Sequence, residues 1–438
     1  MTDSNLLLAP FFRHLERIPT WQSTGKVTKV VGLLVESEGP CSSIGECCEI
    51  VDSAGVSHPG EVVGFRGRTV LSMSLDRPDG IQFGDRVITH GVRPSLSVSE
   101  DLLGRVIDGA GVPMDSLGGY RAAEYQPVYA SPPGALARTP IREPLGCGIR
   151  AIDGMLTCGR GQRVGIFGGS GVGKSTLVGM MARGTSADLT VVGLVGERGR
   201  EVREFLEDAL GEEGRKGSVV VVATSDQSPL LRLRAALAAT AIAEYFCARG
   251  RHVLLVIDSL TRVAMAQREI GLAAGEPPTA KGYTPSVFSL LAQLVERAGH
   301  FGFGSITAFY SLLMEGDDQQ DVLVDAVRAL LDGHIVLDRR LAAQNHYPPI
   351  AILDSLSRLM TSVCRREQLD KIHRLRELLA AYAASEDLIR IGAYQKGADT
   401  LLDKALDILP SLNLFLQQKK DEKITLEETL ARFIALPG

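Results

Sequence analysis

The chain contains no apolar run of about 18 residues, the length a membrane-crossing helix requires. Its apolar start, Leu6-Leu7-Leu8, is cut short by Pro10, so no signal-peptide core is expected there. Cysteine is sparse, seven in 438 residues, and no C-x-x-C pair occurs. Cys47-Cys48 has neither a second pair nor a histidine at zinc spacing, so buried reduced thiols are expected rather than a metal site or a disulfide framework. An excess of positive charge is also missing: 47 Lys and Arg stand against 52 Asp and Glu, for a net charge of −5. Nothing global therefore invites nucleic acid or an acidic membrane. Internal repeats and low-complexity tracts are lacking as well. These absences leave a soluble protein of the cytoplasm, too long for a single core.

What is present is a glycine-rich loop. Gly168, Gly169, Ser170, Gly171, Val172, Gly173, Lys174 and Ser175 match the spacing G-x-x-x-x-G-K-[ST]. Glycines let the backbone fold tightly, so that successive N–H groups point inward at phosphate oxygens. Lys174 suits the β- and γ-phosphates of a nucleoside triphosphate, and the Ser175 hydroxyl suits Mg²⁺. Arg163–Phe167 reads as an apolar strand before the loop and Thr176–Ala182 as the helix leaving it. That context favours a phosphate cradle over a glycine-rich turn in an unrelated loop.

Two carboxylates follow from strand ends. His252–Asp258 is an apolar run closed by Asp258, 84 residues after Lys174, where such enzymes hold Mg²⁺. An Asp capping the next helix is the alternative. Glu197 follows a second apolar run and is placed to orient an attacking water; Arg198 beside it can meet phosphate charge. Because Arg203 and Glu204 continue the run, a solvated charge cluster fits the spacing equally well. Phosphoryl transfer also calls for an extra cation, and spacing does not choose among Arg198, Arg262, Arg328 and Arg358.

The chain changes character along its length. Residues 1–20 mix Leu, Phe and Ile with Arg, His and Glu, as either an amphipathic segment or a lead-in packed on the next domain. From Trp21 to Ser95, short apolar runs (27–35, 61–65, 70–75, 86–89) alternate with turn residues, which predicts a small β-barrel or sandwich. Residues 115–145 read as a connecting loop. After Gly161, apolar runs at 163–167, 189–195, 219–223, 253–257, 306–309 and 335–337 alternate with helical stretches, which predicts a parallel sheet covered on both faces. Beyond Arg365 only helical patterns remain.

The stretch from Leu145 to Met360 resembles the rotary ATPase family, and within it the type III protein-export ATPases. The likeness is carried by Val164–Thr176, Val192–Phe205, Asp258–Arg262, Met265–Glu269, Gly275–Pro278, Lys281–Tyr283, Gly304–Tyr310, Glu315–Asp318 and Leu331–Leu337. Glu61–Phe65 and Leu102–Gly109 are similar to the family's barrel and its junction with the ATPase domain. Asp387–Tyr394 resembles the short helical C-terminal domain of the export enzymes. Its Gly-Ala-Tyr ending, with Thr307–Tyr310, looks flagellar rather than injectisome-like.

The resemblance implies an α/β fold: a P-loop RecA/F1-like parallel sheet with an N-terminal β-barrel and a C-terminal helical domain. The divisions it implies are 1–20 (a segment bound by a regulator), 21–95 (barrel), 96–362 (ATPase domain) and 363–438 (helical domain). It implies Mg²⁺-dependent ATP hydrolysis with Gly168–Thr176 around the phosphates, Lys174 on them, Ser175 and Asp258 on the metal, and Tyr347 against adenine. Glu197 matches the carboxylate that positions water, Arg198 its neighbour near phosphate, and Arg358 an arginine finger reaching into the adjacent subunit. Non-catalytic ring subunits of the family carry Gln in place of that Glu, so Glu197 points to a catalytic chain. Val322 and Ala351 depart from the family's usual Pro and carboxylate, and Pro348-Pro349 is an unusual pair before the finger.

By the same resemblance the chain is the homohexameric ATPase of a flagellar export apparatus, at the inner face of the cytoplasmic membrane. Its implied partners are a peripheral-stalk regulator, a coiled-coil central stalk, chaperone–substrate complexes and the membrane export gate, with no nucleic acid. Three other assignments remain: an injectisome ATPase, an ATP synthase catalytic subunit and a hexameric nucleic-acid translocase. A translocase fits poorly, since residues 21–95 hold seven Lys and Arg against nine Asp and Glu, with only scattered aromatics for stacking. An ATP synthase subunit fits poorly too, because only 78 residues follow Met360.

Overall fold

A computed structural model describes residues 22–314 and 321–437. The N-terminal segment 1–20, Trp21 and the Glu315–Asp318 block lie outside the described residues.

Six strands, Ser23–Val31, Leu34–Glu38, Cys47–Val51, Ser57–Arg66, Thr69–Ser74 and Arg86–Thr89, close into a barrel. Alternation along each strand turns Val27, Val35, Cys48, Ile50, Val62, Val70 and Val87 inward. The apolar run 27–35 is two strands, not one: at Gly32 the backbone takes φ +60°, which glycine adopts without strain, and the chain reverses. The strand Cys47–Val51 carries no continuous apolar run, because Glu49 interrupts it, yet Cys48 and Ile50 alternate into the core. Cys47 and Cys48 are free thiols there.

The central sheet runs in the order 356–357, 333–336, 163–168, 304–313, 252–258, 189–197, 218–224, 106–108. Leu356–Ser357 at one edge and Gly299–Phe301, which pairs with 304–313, are antiparallel; the other neighbours are parallel. All six anticipated apolar runs are strands of this sheet, buried on both faces as their unbroken apolarity requires. Residues 115–145 are not wholly a loop: Glu124–Pro127 pairs with Ser95–Val98. The helix Pro229–Cys247, apolar around nearly its whole circumference, lies buried beside the sheet.

Barrel and sheet are joined by a buried ion pair. Arg234, on that helix, donates to Glu61 Oε2 of the barrel through Nε (2.9 Å) and Nη2 (2.7 Å). Both residues are buried. Leaving either charge unpaired there should cost about 3–5 kcal/mol, whereas replacing both with apolar groups should come close to neutral. Urea unfolding should therefore show Glu61→Leu strongly destabilised and Glu61→Leu/Arg234→Met largely restored.

The C-terminal helices Arg366–Arg390, Thr400–Leu416 and Leu426–Ile434 pack Ile372, Leu375, Leu378, Phe415 and Phe433 against the short helix Arg150–Met155. Arg150 ties the two regions further, its Nε donating to Phe415 O at 2.8 Å and its backbone N–H to Gln418 Oε1 at 2.9 Å. The short helix ahead of the strand 163–168 is thus fastened directly to the C-terminal segment.

Candidate active site

The phosphate loop joins the strand Arg163–Gly168 to the helix Lys174–Gly184. Gly171 (φ +79°) and Gly173 (φ +93°) hold conformations that side chains resist, which lets successive N–H groups turn inward. Gly169 answers a different constraint: a Cβ there would meet the Arg339 guanidinium. Lys174 is buried, its Nζ 3.5 Å from Leu312 O. Burial lowers its pKa, while Asp258 and Glu197 pull it back up.

One strand, Gly304–Leu313, separates the loop's strand from the strand that ends at Asp258. That middle strand serves both neighbours. Ser311 Oγ donates a hydrogen bond to Asp258 Oδ1, and Leu312 supplies the carbonyl facing Lys174. Asp258 is itself buried. Hydroxyl and carboxylate oxygens are the donors that Mg²⁺ prefers, and it typically takes one or two protein carboxylates with waters and phosphates. Among the described residues no group of three His, Cys, Asp or Glu could hold a metal ion by itself.

Glu197 ends the next strand, Leu189–Glu197, beside Asp258. Burial first, then the Asp258 charge, push its carboxyl up to about 8; a hydrogen bond with Glu201 adds to the rise and Arg262 opposes it. The cation set against Glu197 and Lys174 is Arg262, on the helix Leu260–Ala274, whose buried Nε has no hydrogen-bond partner. Gly196 (φ +72°) makes room for it, since a Cβ there would lie 2.9 Å from the Arg262 side chain. Arg198, by contrast, is exposed; its backbone N–H donates to Glu201 at the start of a helix. Spacing left Arg198 and Arg262 among four candidate cations, and the resemblance favoured Arg198. What distinguishes Arg262 is its place one helical turn after Asp258.

The raised pKa carries a stability consequence. The ligand-free folded protein holds a proton on Glu197 that the unfolded chain releases above 4.5, the ordinary value. Stability from that proton is complete below 4.5 and shrinks as pH climbs to about 8. Glu197→Gln removes the dependence. Its thermal midpoint in the absence of nucleotide should therefore exceed the parent's by more at about pH 8 than at about pH 5.

Tyr347 is half-exposed, and a Cβ on Gly173 would lie 3.7 Å from its ring. It lines a cleft of about 890 Å³ between the phosphate loop and the C-terminal segment, with Thr176, Met180, Leu414 and Gln418 among the walls. The cleft's lining is apolar at the Tyr347 ring, Met180, Pro348 and Leu414, and polar at Asn345, Gln417, Lys419 and Asp421.

Arg358 lies elsewhere. Ser357 pairs with Gly333, and His334 with Gly165, so Arg358 stands level with Arg163. That is five residues, about 16 Å along the strands, before the loop begins at Gly168. Its side chain is exposed at the sheet edge. So placed, Arg358 stands apart from this chain's own phosphate loop.

A phosphate loop parted by one strand from a carboxylate at a strand end, in a chain that also carries a closed six-stranded barrel, is the build of a rotary-type P-loop ATPase. Residues 148–357 match the nucleotide-binding domain of the ATP synthase alpha/beta family and residues 27–91 its beta-barrel domain. Residues 364–435 match the C-terminal domain of the type III secretion ATPase EscN. The chain is 51% identical over 428 residues to the flagellum-specific ATP synthase of Bacillus subtilis, covering 97% of each chain. It is 49% identical to that of Salmonella typhimurium (96% of this chain, 95% of the other) and 46% identical to the type 3 secretion system ATPase of Xanthomonas euvesicatoria (98% of each). Assembled EscN from enteropathogenic E. coli aligns with a TM-score of 0.89 at 43% identity, over 94% of this chain and 99% of that one. EscN in complex with its central stalk EscO aligns at 0.87 and 42%, with the same coverage. The chain belongs to the type III protein-export ATPases of this family, and it is an ATPase.

Proposed function

We propose that the chain powers a flagellar protein-export apparatus as a homohexameric ring, coupling ATP hydrolysis to release of export substrates from their chaperones and delivery to a membrane gate. The observation that carries the ring is the separation of Arg358 from its own phosphate loop, while Glu197, Asp258 and Arg262 gather around Lys174 of that loop. A closed ring of identical copies completes each site with the next copy's finger. The flagellar reading rests on the flagellum-specific relatives at 49–51% identity against 45–47% for the secretion-system relatives. EscN's assembled form and its complex with a central stalk support hexamer and stalk here. Among the described residues no helix is long and apolar enough to cross a membrane, so contact with the gate would be peripheral. The segment 1–20 would be held by a peripheral-stalk regulator, ahead of a barrel over 21–95, an ATPase domain over 96–362 and a helical domain over 363–438.

In this reading Gly168–Thr176 wrap the phosphates, Lys174 and Arg262 carry their charge, and Tyr347 stacks on adenine. Arg198, exposed beside Glu197, would meet the phosphates only as an outer cation. Ser175 and Asp258 would hold Mg²⁺, which neutralises the phosphate oxygens when bound. Glu197 orients the attacking water and takes its proton, a task that needs the ionised form; Lys174, Arg262 and the neighbouring subunit's Arg358 favour that form.

Ser311 then matters through Asp258. Removing its hydroxyl should free the carboxylate to swing, and loss of such an orienting bond typically weakens metal binding ~10–100-fold. Titrating Mg²⁺ against ATPase rate should show Ser311→Ala needing correspondingly more metal, with little change at saturation. An unchanged Mg²⁺ requirement would show that Ser311 does not orient Asp258 toward the metal. The overall reading is tested in cells: a strain lacking this chain should make flagellin yet fail to export it. Normal export would contradict the reading.

A further inference from the structure

The segment that presents Arg358 is gripped from outside the nucleotide-binding fold. Residues 351–355 form a turn ahead of the edge strand Leu356–Ser357, and each of their five carbonyls is a hydrogen-bond acceptor. Ser355 Oγ donates to Ala351 O at 2.6 Å and accepts the Val336 N–H at 2.9 Å. His334 Nε2 lies 3.0 Å from Asp354 O. The other three carbonyls are held by one guanidinium, that of Arg376. Its Nη1 donates to Ile352 O at 2.8 Å and Ser355 O at 3.3 Å, and its Nη2 to Leu353 O at 3.2 Å and Ser355 O at 3.3 Å.

Arg376 belongs to the helix Arg366–Arg390, the first of the C-terminal domain. Its neighbours Ile372, Leu375 and Leu378 are buried, so the helix backbone beneath it is firmly seated. None of the four bonds goes to a carboxylate. A guanidinium with several fixed donors can hold several carbonyls in one arrangement, which a lysine ammonium cannot do in the same way. Three residues after Ser355 the chain reaches Arg358, whose own N–H is held by Asp332 O at 2.9 Å. Between the clamp and the finger there is no slack: Ser357 Oγ donates to Thr157 O at 3.0 Å and accepts from Gln162 Nε2 at 3.1 Å. A shift of the C-terminal helix therefore pulls directly on the turn that aims Arg358.

We propose that Arg376 is a positioning residue: by clamping 352–355 it links the attitude of the C-terminal helical domain to delivery of Arg358 into the neighbouring subunit's site. The proposal rests on the reading of Arg358 as a finger acting between subunits. It implies that whatever tilts the C-terminal helices of one subunit gates hydrolysis in the next, not in its own site.

The test uses the full-length chain. Arg376→Ala should lower kcat ~10²-fold, the scale of a misplacement of about 1 Å, and leave KM for ATP unchanged. Arg376→Lys, which can keep one or two of the carbonyl bonds, should fall between the two. The decisive readout is mixing. Inactive Glu197→Gln retains a sound finger, so rings mixed from it and Arg376→Ala should regain activity. Rings mixed from Arg358→Ala and Arg376→Ala should not, because both lack a working finger. The reverse pattern, or an unaltered kcat, would overturn the proposal. If Arg376→Ala does not assemble, Arg376→Lys is carried through the same two mixtures. The control mixture is Glu197→Gln with Arg358→Ala. If it recovers while Arg376→Ala behaves otherwise, the role of Arg376 alone is lost; if it stays inactive, the intersubunit finger is lost and this inference with it.

Discussion

Glu197→Gln should yield a protein that binds Mg·ATP and assembles normally but hydrolyses it ~10²–10⁴-fold more slowly, the range typical for loss of a group that moves a proton in the transition state. The substitution is nearly isosteric, so it removes a titrating oxygen from the end of the strand Leu189–Glu197 and little else. The site around it stays furnished with Lys174, Asp258 and Arg262. Because burial and the Asp258 charge push the parent carboxyl up to about 8, amide and protonated acid resemble each other there. Nucleotide affinity should therefore change far less than turnover. Single-turnover hydrolysis with radiolabelled ATP separates the two quantities. Turnover at the parent rate would take Glu197 out of the chemistry.

Arg358→Ala should be of the same order or larger, ~10³–10⁵-fold in kcat, as expected for a cation that meets charge spreading over the transferring phosphoryl group. Arg358→Lys should restore little, since an ammonium lacks the guanidinium's fork. The side chain is exposed and about 16 Å along the strands from its own loop, so ATP binding by a single chain should be unaffected. That contrast, intact binding with lost turnover only in the assembled ring, distinguishes an intersubunit role from a general loss of structure.

Much of this was legible in the residues themselves. Strands buried on both faces write themselves as unbroken apolar runs, which is why 189–195 and 253–257 could be placed in a parallel sheet. The phosphate loop was legible because its backbone conformation admits little but glycine at Gly171 and Gly173. Other features left no local imprint. Glu61 and Arg234 are 173 residues apart, and nothing periodic announces that they meet. Ser311 and Asp258 come together only because their strands are neighbours across the sheet. Arg262 and Arg198 look alike as arginines near strand ends, and only folding sorts the one facing the carboxylates from the one facing solvent. The hairpin at Gly32 was hidden for the opposite reason, an apolar run continuing through a turn.

The central claim is that each active site is built from two chains, and mixing two inactive proteins tests it most directly. Glu197→Gln supplies a sound finger and Arg358→Ala a sound nucleotide site. Rings assembled from equal amounts should regain activity, about a quarter of the parent's if interfaces form at random and act independently. Mixtures that stay as inactive as their components, in rings shown by native mass spectrometry to contain both, would contradict the account.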